Sequence, residues 1–165
     1  MSATKVYTLG LSSVKIGDPE SVAPATQLGY TYQDSCQFQQ EDPTVQEFYA
    51  EEVDDPVVST ARAGKTTVEF DLMNPDVDVL ATLMGGTAQS SSGETWAAPD
   101  SMATIEKSIL VTPKQGFSVL MPRARIDSKI NGNFAKSGIV LVHVKATCLQ
   151  PATAQLARIK LTKLT

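Results

Sequence analysis

Histidine is the side chain most often recruited for proton transfer near neutral pH, and this chain has one, His143, within GIVLVHVKATC (138–148). A general base must reach a nucleophile and be oriented by a third group, and no acid shares its segment. The expected role for His143 is therefore packing, in the core or at an interface. Asp71, Asp76 and Asp78 are the nearest thing to a set of oxygen ligands. Their spacing does not match a twelve-residue calcium loop, and Asp76 and Asp78 suit the first turn of a helix. GKTT (64–67) resembles half a phosphate loop, but the upstream glycine is missing and a strand follows where a helix is needed. RARIDSK (123–129) sets Arg123, Arg125, Asp127 and Lys129 on one face of a strand, without interleaved aromatics on which bases could stack. Cys36 and Cys148 fit neither a metal spacing nor a disulfide framework, so both are expected as buried thiols. The residues point to no enzyme, no cofactor and no metal.

The elements that carry these residues are mostly strands. From Thr31 to Glu41 the odd positions are all polar, including Gln33, Ser35, Gln37 and Gln39, while Tyr32, Cys36 and Phe38 fall on the other face. TVQEFYAEEV (44–53) is expected to pair with that strand across Asp42 and Pro43. DDPVVSTARAG (54–64) reads as an acidic, mobile hairpin tip, and GKTTVEFDL (64–72) as a further strand. NPDVDVLATLMGGT (74–87) is the one clear helix: Asn74 as cap, Pro75 first in the helix, an apolar face through Val77, Leu80, Ala81, Leu83 and Met84, and Gly85 as the stop. At ~1.5 Å per residue it is expected to run about three turns.

A Gly/Ser-rich loop follows, anchored by Trp96. Strands resume at 103–113, 116–122 and 123–130, the last two readable as one strand bent at Pro122. INGNF makes a turn. The run 137–151 is apolar on both faces through Val144 and is expected to be covered on both sides. Residues 152–165 form a C-terminal arm or edge strand attached to a single domain spanning 1–151. Together these elements predict a mainly β fold: a β-sandwich or partly closed barrel, with one short flanking helix and a long hairpin loop. No run is long and apolar enough to span a membrane, and MSATKVYTLG lacks the apolar stretch of a secretory signal, so the chain is expected to fold in a cytoplasm without a membrane anchor.

Charge is distributed unevenly along the chain. Residues 1–100 hold 16 of the 18 acids and four of the 14 bases, a net of −12; residues 101–165 hold two acids and ten bases, a net of +8; the total is −4. No base lies between Lys15 and Arg62. Such an asymmetry lets copies dock head to tail through unlike patches.

With KIGDPESVAPATQLGYTYQDSCQFQQED, then EEVDDPVVSTARAGKTTVEFDL, NPDVDVLATLMGGT and GIVLVHVKATCLQP in that order, the chain resembles the major tail tube proteins of long-tailed bacteriophages. The likeness covers about Lys15 to Pro151. It implies a fold shared with the tube of type VI secretion and a virion protein, assembled in the host bacterial cytoplasm into stacked, usually hexameric rings. Its partners are then further copies, other tail proteins, and DNA that passes the lumen without specific binding. On this reading Gln33, Ser35, Gln37 and Gln39 face the lumen. Glu51, Glu52, Asp54, Asp55 and Arg62 belong to the hairpin that reaches the neighbouring ring, and Arg123, Arg125 and Lys129 form a basic interface. Two rivals are another tail or baseplate ring component, such as a tail terminator, and a glycan-binding β-sandwich module, which would need a concave site with exposed aromatics in a chain whose sole tryptophan is Trp96.

Overall fold

The computed structural model describes residues 3–89, 91 and 93–165. Its strands are β1 (Ser13–Gly17), β2 (Thr26–Gln27), β3 (Gln37–Gln40), β4 (Thr44–Tyr49), β5 (Pro56–Arg62), β6 (Thr66–Leu72), β7 (Thr87–Gln89), β8 (Thr95–Ala97), β9 (Ile105–Thr112), β10 (Phe117–Asn131), β11 (Leu141–Cys148) and β12 (Lys160–Lys163). One helix, α1 (Val77–Met84), lies between β6 and β7. The main sheet is antiparallel in the order β2-β1-β9-β10-β11-β6-β3, with β12 also paired to β10, and it does not close into a barrel.

The expected bend at Pro122 is present. β10 is one strand of 15 residues whose register against β9 shifts between Met121 and Ala124. A proline cannot donate to the ladder, and a bulge is where a strand tolerates one. Before the bulge β10 pairs with β12, and after it with β11. The bend folds the sheet over on itself as a sandwich: Val14 and Ile16 of β1 and Ile109 of β9 share one apolar cluster with Val68, Phe70 and Leu72 of β6. Helix α1 adds Val79 and Leu83 to the same cluster, so it lies on the buried face and leaves the other face of β6 and β11 open.

Four expectations change. The strand expected over 31–41 is broken by a turn at Gln33 and Asp34: Asp34 adopts φ 60°, and the Ser35 hydroxyl donates to the Tyr32 carbonyl at 2.7 Å. A short Asp tolerates this backbone and a Ser hydroxyl closes the turn, so only Gln37–Gln40 remains a strand. The second change is that β4 pairs with β5 and not with β3, which pairs instead with β6. One register runs from Gln37 opposite Glu69 to Phe48 opposite Val58, so β4–β5 continues the β3–β6 pair outward past a break at 42–43 and 63–64. The two segments touch at that break: Glu41 N–H donates to the Lys65 carbonyl at 2.9 Å, and a Cβ on Gly64 would collide with the Glu41 carbonyl.

The third change concerns α1, which is capped by Asp76, whose carboxylate accepts from Val79 N–H at 2.8 Å; it runs eight residues, nearer two turns than three. Asn74 is drawn away because its Oδ1 accepts from Tyr30 N–H at 2.7 Å. At the other end Gly85 takes φ 75° and donates to the Ala81 carbonyl. Finally, β11 is buried throughout on one face only; on the other Leu141 and His143 are half-buried, Lys145 is exposed and Thr147 alone is buried.

Phe70 is fully buried whereas Phe48, on the hairpin, is half exposed. Phe70→Ala is expected to cost about 3–5 kcal/mol in denaturant unfolding of the monomer, and Phe48→Ala within about 0.5 kcal/mol of zero.

Candidate functional site

Residues opposite one another in an antiparallel ladder share a face. On the open face of the sheet this places Glu106, Arg125, Thr147, Thr67 and Gln39 in one row across β9, β10, β11, β6 and β3. The next row is Asp127, Lys145, Glu69 and Gln37; the third is Lys129, His143 and Asp71. Gln39 Nε2 donates to Gln37 Oε1 at 3.2 Å along the edge. Ser35 sits beyond the end of β3, where its Oγ accepts from Asp71 N–H at 3.1 Å, and Gln33 lies in the turn. Of the four residues expected to share a polar face, Gln37 and Gln39 lie on it as ladder residues, Ser35 borders it, and Gln33 is not part of the strand.

The charges on this face cancel locally. Arg123 Nε and Nη2 donate to both carboxylate oxygens of Glu106 at 2.8 and 3.0 Å, and its Nη1 donates to the Gln150 carbonyl at 3.0 Å. Arg125 meets Asp127 at 3.1 Å, Lys145 meets Glu69 at 3.5 Å, and His143 Nδ1 lies 2.7 Å from Asp71 Oδ1. Arg123, Arg125, Lys129 and Lys145 thus balance Glu106, Asp127, Glu69 and Asp71, leaving no net charge when His143 is neutral. Arg123 and Arg125, expected as a basic interface, are already paired within their own chain; Lys129 has no ion pair among the described residues. The bidentate hydrogen bonds of Arg123 hold the Glu106 carboxyl below its ordinary value of 4.5, and Glu106 raises the Arg123 guanidinium in return.

A further carboxylate, outside these rows, acts on Arg123 from the loop after β1. Glu20 accepts from Thr153 N–H at 2.7 Å and from the Thr153 hydroxyl at 3.2 Å; the backbone bond is the main cause holding its carboxyl below 4.5. Glu20 therefore ties the segment leading to β12 onto the loop after β1.

The hairpin residues Glu51, Glu52, Asp54 and Asp55 sit at the turn between β4 and β5, and Arg62 lies at its base opposite Thr44. No residue of either strand is buried. Phe48 packs across from Val58 on one face of the ribbon, while Val45 and Tyr49 lie on the other, with the Tyr49 hydroxyl donating to Glu47 at 2.7 Å. The segment expected as a mobile tip is thus largely β5, and the tip shrinks to 50–55.

A cleft of about 740 Å³ opens where the N-terminal segment meets Tyr30 to Phe38 and the start of β10. Cys36 lines it; burial pushes its thiol up, as it does that of Cys148, so neither is primed as a nucleophile. Trp96 is spent on structure, with Nε1–H donating to the Gly85 carbonyl at 2.9 Å. Among the described residues there is no cluster of three or more metal-ligating side chains and no helix long and apolar enough to cross a membrane. Sequence reading missed Asp71 as the partner of His143, because the two are 72 residues apart and meet only through the β6–β11 register.

Depressed folded-state carboxyls stabilise above the ordinary value and lose that contribution as pH falls through the folded value. Stability is therefore expected to decline below pH 4.5, and Glu20→Gln with Glu106→Gln to flatten that acid limb in urea melts recorded at a series of pH values. No protein-family model matches the chain and no curated protein matches it, so the functional reading rests on these surfaces.

Proposed function

We propose that the protein is a structural virion subunit that self-assembles into stacked rings to form the tail tube of a long-tailed bacteriophage, a channel for DNA passage. The observation that carries this reading is the β4–β5 hairpin, an acidic ribbon with apolar side chains on both faces that none of the described residues of its own chain buries. A two-stranded ribbon is marginal alone in water, and a second copy gives it a surface to pack on. Other copies are the main partners, with other tail proteins at the ends of the tube. The hexameric ring and the virion location come from the resemblance in sequence texture.

The open polar face suits the lumen. A net basic wall would hold DNA by its phosphates and a net acidic one would repel it, whereas equal numbers of acids and bases, three pairs of them at 2.8 to 3.5 Å, favour neither. Gln37 and Gln39 extend that neutral face to the edge of the sheet. The aromatics that the rival glycan reading needs are Tyr30 and Tyr32, which are exposed beside the open cleft.

Replacing 43–63 with a two-residue turn is expected to leave a folded monomer that no longer pellets as polymer, while the intact chain forms tubes visible in negative stain. Tube formation by the shortened chain would defeat the hairpin's role. Glycan-array binding lost in Tyr30→Ala, with no polymer from the intact chain, would favour the rival.

A further inference from the structure

The sheet carries a second projecting hairpin, at the opposite end from the first. The acidic ribbon leaves β6 at Thr66, whereas β10 and β11 meet in a turn beyond Asn131 opposite Leu141, at the end where Leu72 lies against Val142. Every residue from Lys129 to Ile139 is exposed, and at the apex Phe134 is 98% exposed, flanked by Ile130 and Ile139. The charge of this tip is opposite to that of the ribbon. Lys129 and Lys136 have no ion pair among the described residues, and no acid occurs anywhere from 128 to 165. The ribbon turn supplies Glu51, Glu52, Asp54 and Asp55 around the exposed Val53.

We infer that the β10–β11 tip of one copy docks on the acidic β4–β5 hairpin of the next, with Phe134 packed against Val53 and its neighbours and Lys129 and Lys136 facing the carboxylates. The occupant is a second copy of this chain because the two surfaces match in charge and in apolar content and sit at opposite ends of one strand ladder. A contact between unlike ends of one molecule is not a two-fold dimer contact; it repeats from copy to copy, and with the two surfaces at opposite ends of the ladder the repeat runs along the strand direction unless its rotation closes a ring. The tip thus offers two cations with no ion pair among the described residues, whereas Arg123 and Arg125 already meet acids of their own chain. This inference rests on the self-assembly proposed above and names the surface that receives the hairpin.

The test uses the full chain with Phe134→Ser and Lys136→Glu, changes at exposed positions that are expected to leave the thermal melt of the monomer unchanged. Sedimentation should show the critical concentration for polymer raised by roughly tenfold or more, the scale of one lost apolar anchor. Asp54→Lys should partly restore assembly to the Lys136→Glu chain. Mixing Val53→Cys chains with Phe134→Cys chains under oxidation should give disulfide-linked pairs that neither chain gives alone. Polymer from the intact chain, together with unimpaired assembly of the double variant and no cross-link, would overturn the docking and leave self-assembly standing. An intact chain that stays monomeric at every concentration would overturn both.

Discussion

The architecture depends on how the bulge in β10 is accommodated. Pro122 is fully buried and gives no N–H to the ladder, so the strand must shift register there; the carbonyls at the bend still need donors. Two loops supply them: Glu20 N–H donates to the Pro122 carbonyl at 2.6 Å, and Leu149 N–H to the Arg123 carbonyl at 2.9 Å. With the bend fixed, one long strand serves both layers, pairing β12 before it and β11 after it. The core then forms between the halves, and Met121 and Ala124, on either side of the shift, are both fully buried.

The same bend assigns the two faces. Once β6 and β11 turn Val68, Phe70, Val144 and Ala146 inward, period-two geometry turns Glu69, Asp71, His143 and Lys145 outward, whatever their identities. The antiparallel register then brings unlike charges opposite one another, as with Asp127, Lys145 and Glu69. Each exposed pair contributes only about 0 to 1 kcal/mol, so their main consequence is a face without net charge. The hairpin follows from the register too, since β4 and β5 prolong β3 and β6 beyond the body with no second layer to cover them.

Much of the fold was legible in the sequence because period-two alternation and strong breakers are local signals. The bent strand at Pro122, the stop at Gly85 and the mainly β class with a single helix all read correctly from neighbours in the chain. Strand partners were not legible. Asp42-Pro43 looks like a hairpin turn, yet it is a break in a longer ribbon, because Gly64 returns close enough to Glu41 to keep β3 against β6. The polar face was half visible: Gln37 and Gln39 stood out by their side chains, while His143 and Leu141 read as core beside Val142 and Val144. Arg123 looked free because Glu106, 17 residues away, becomes its neighbour only once β9 lies against β10, whereas the partner of Arg125 is Asp127, two residues on along the same face.

The proposed self-assembly into a hollow tube with the neutral face inward can be seen in a helical reconstruction of the purified polymer from electron micrographs. The expected result is stacked rings around an open bore lined by Gln37, Glu69 and Lys145, with α1 on the outside. A filament without a bore, or a tube that turns those three residues to its outer surface, would rule that arrangement out.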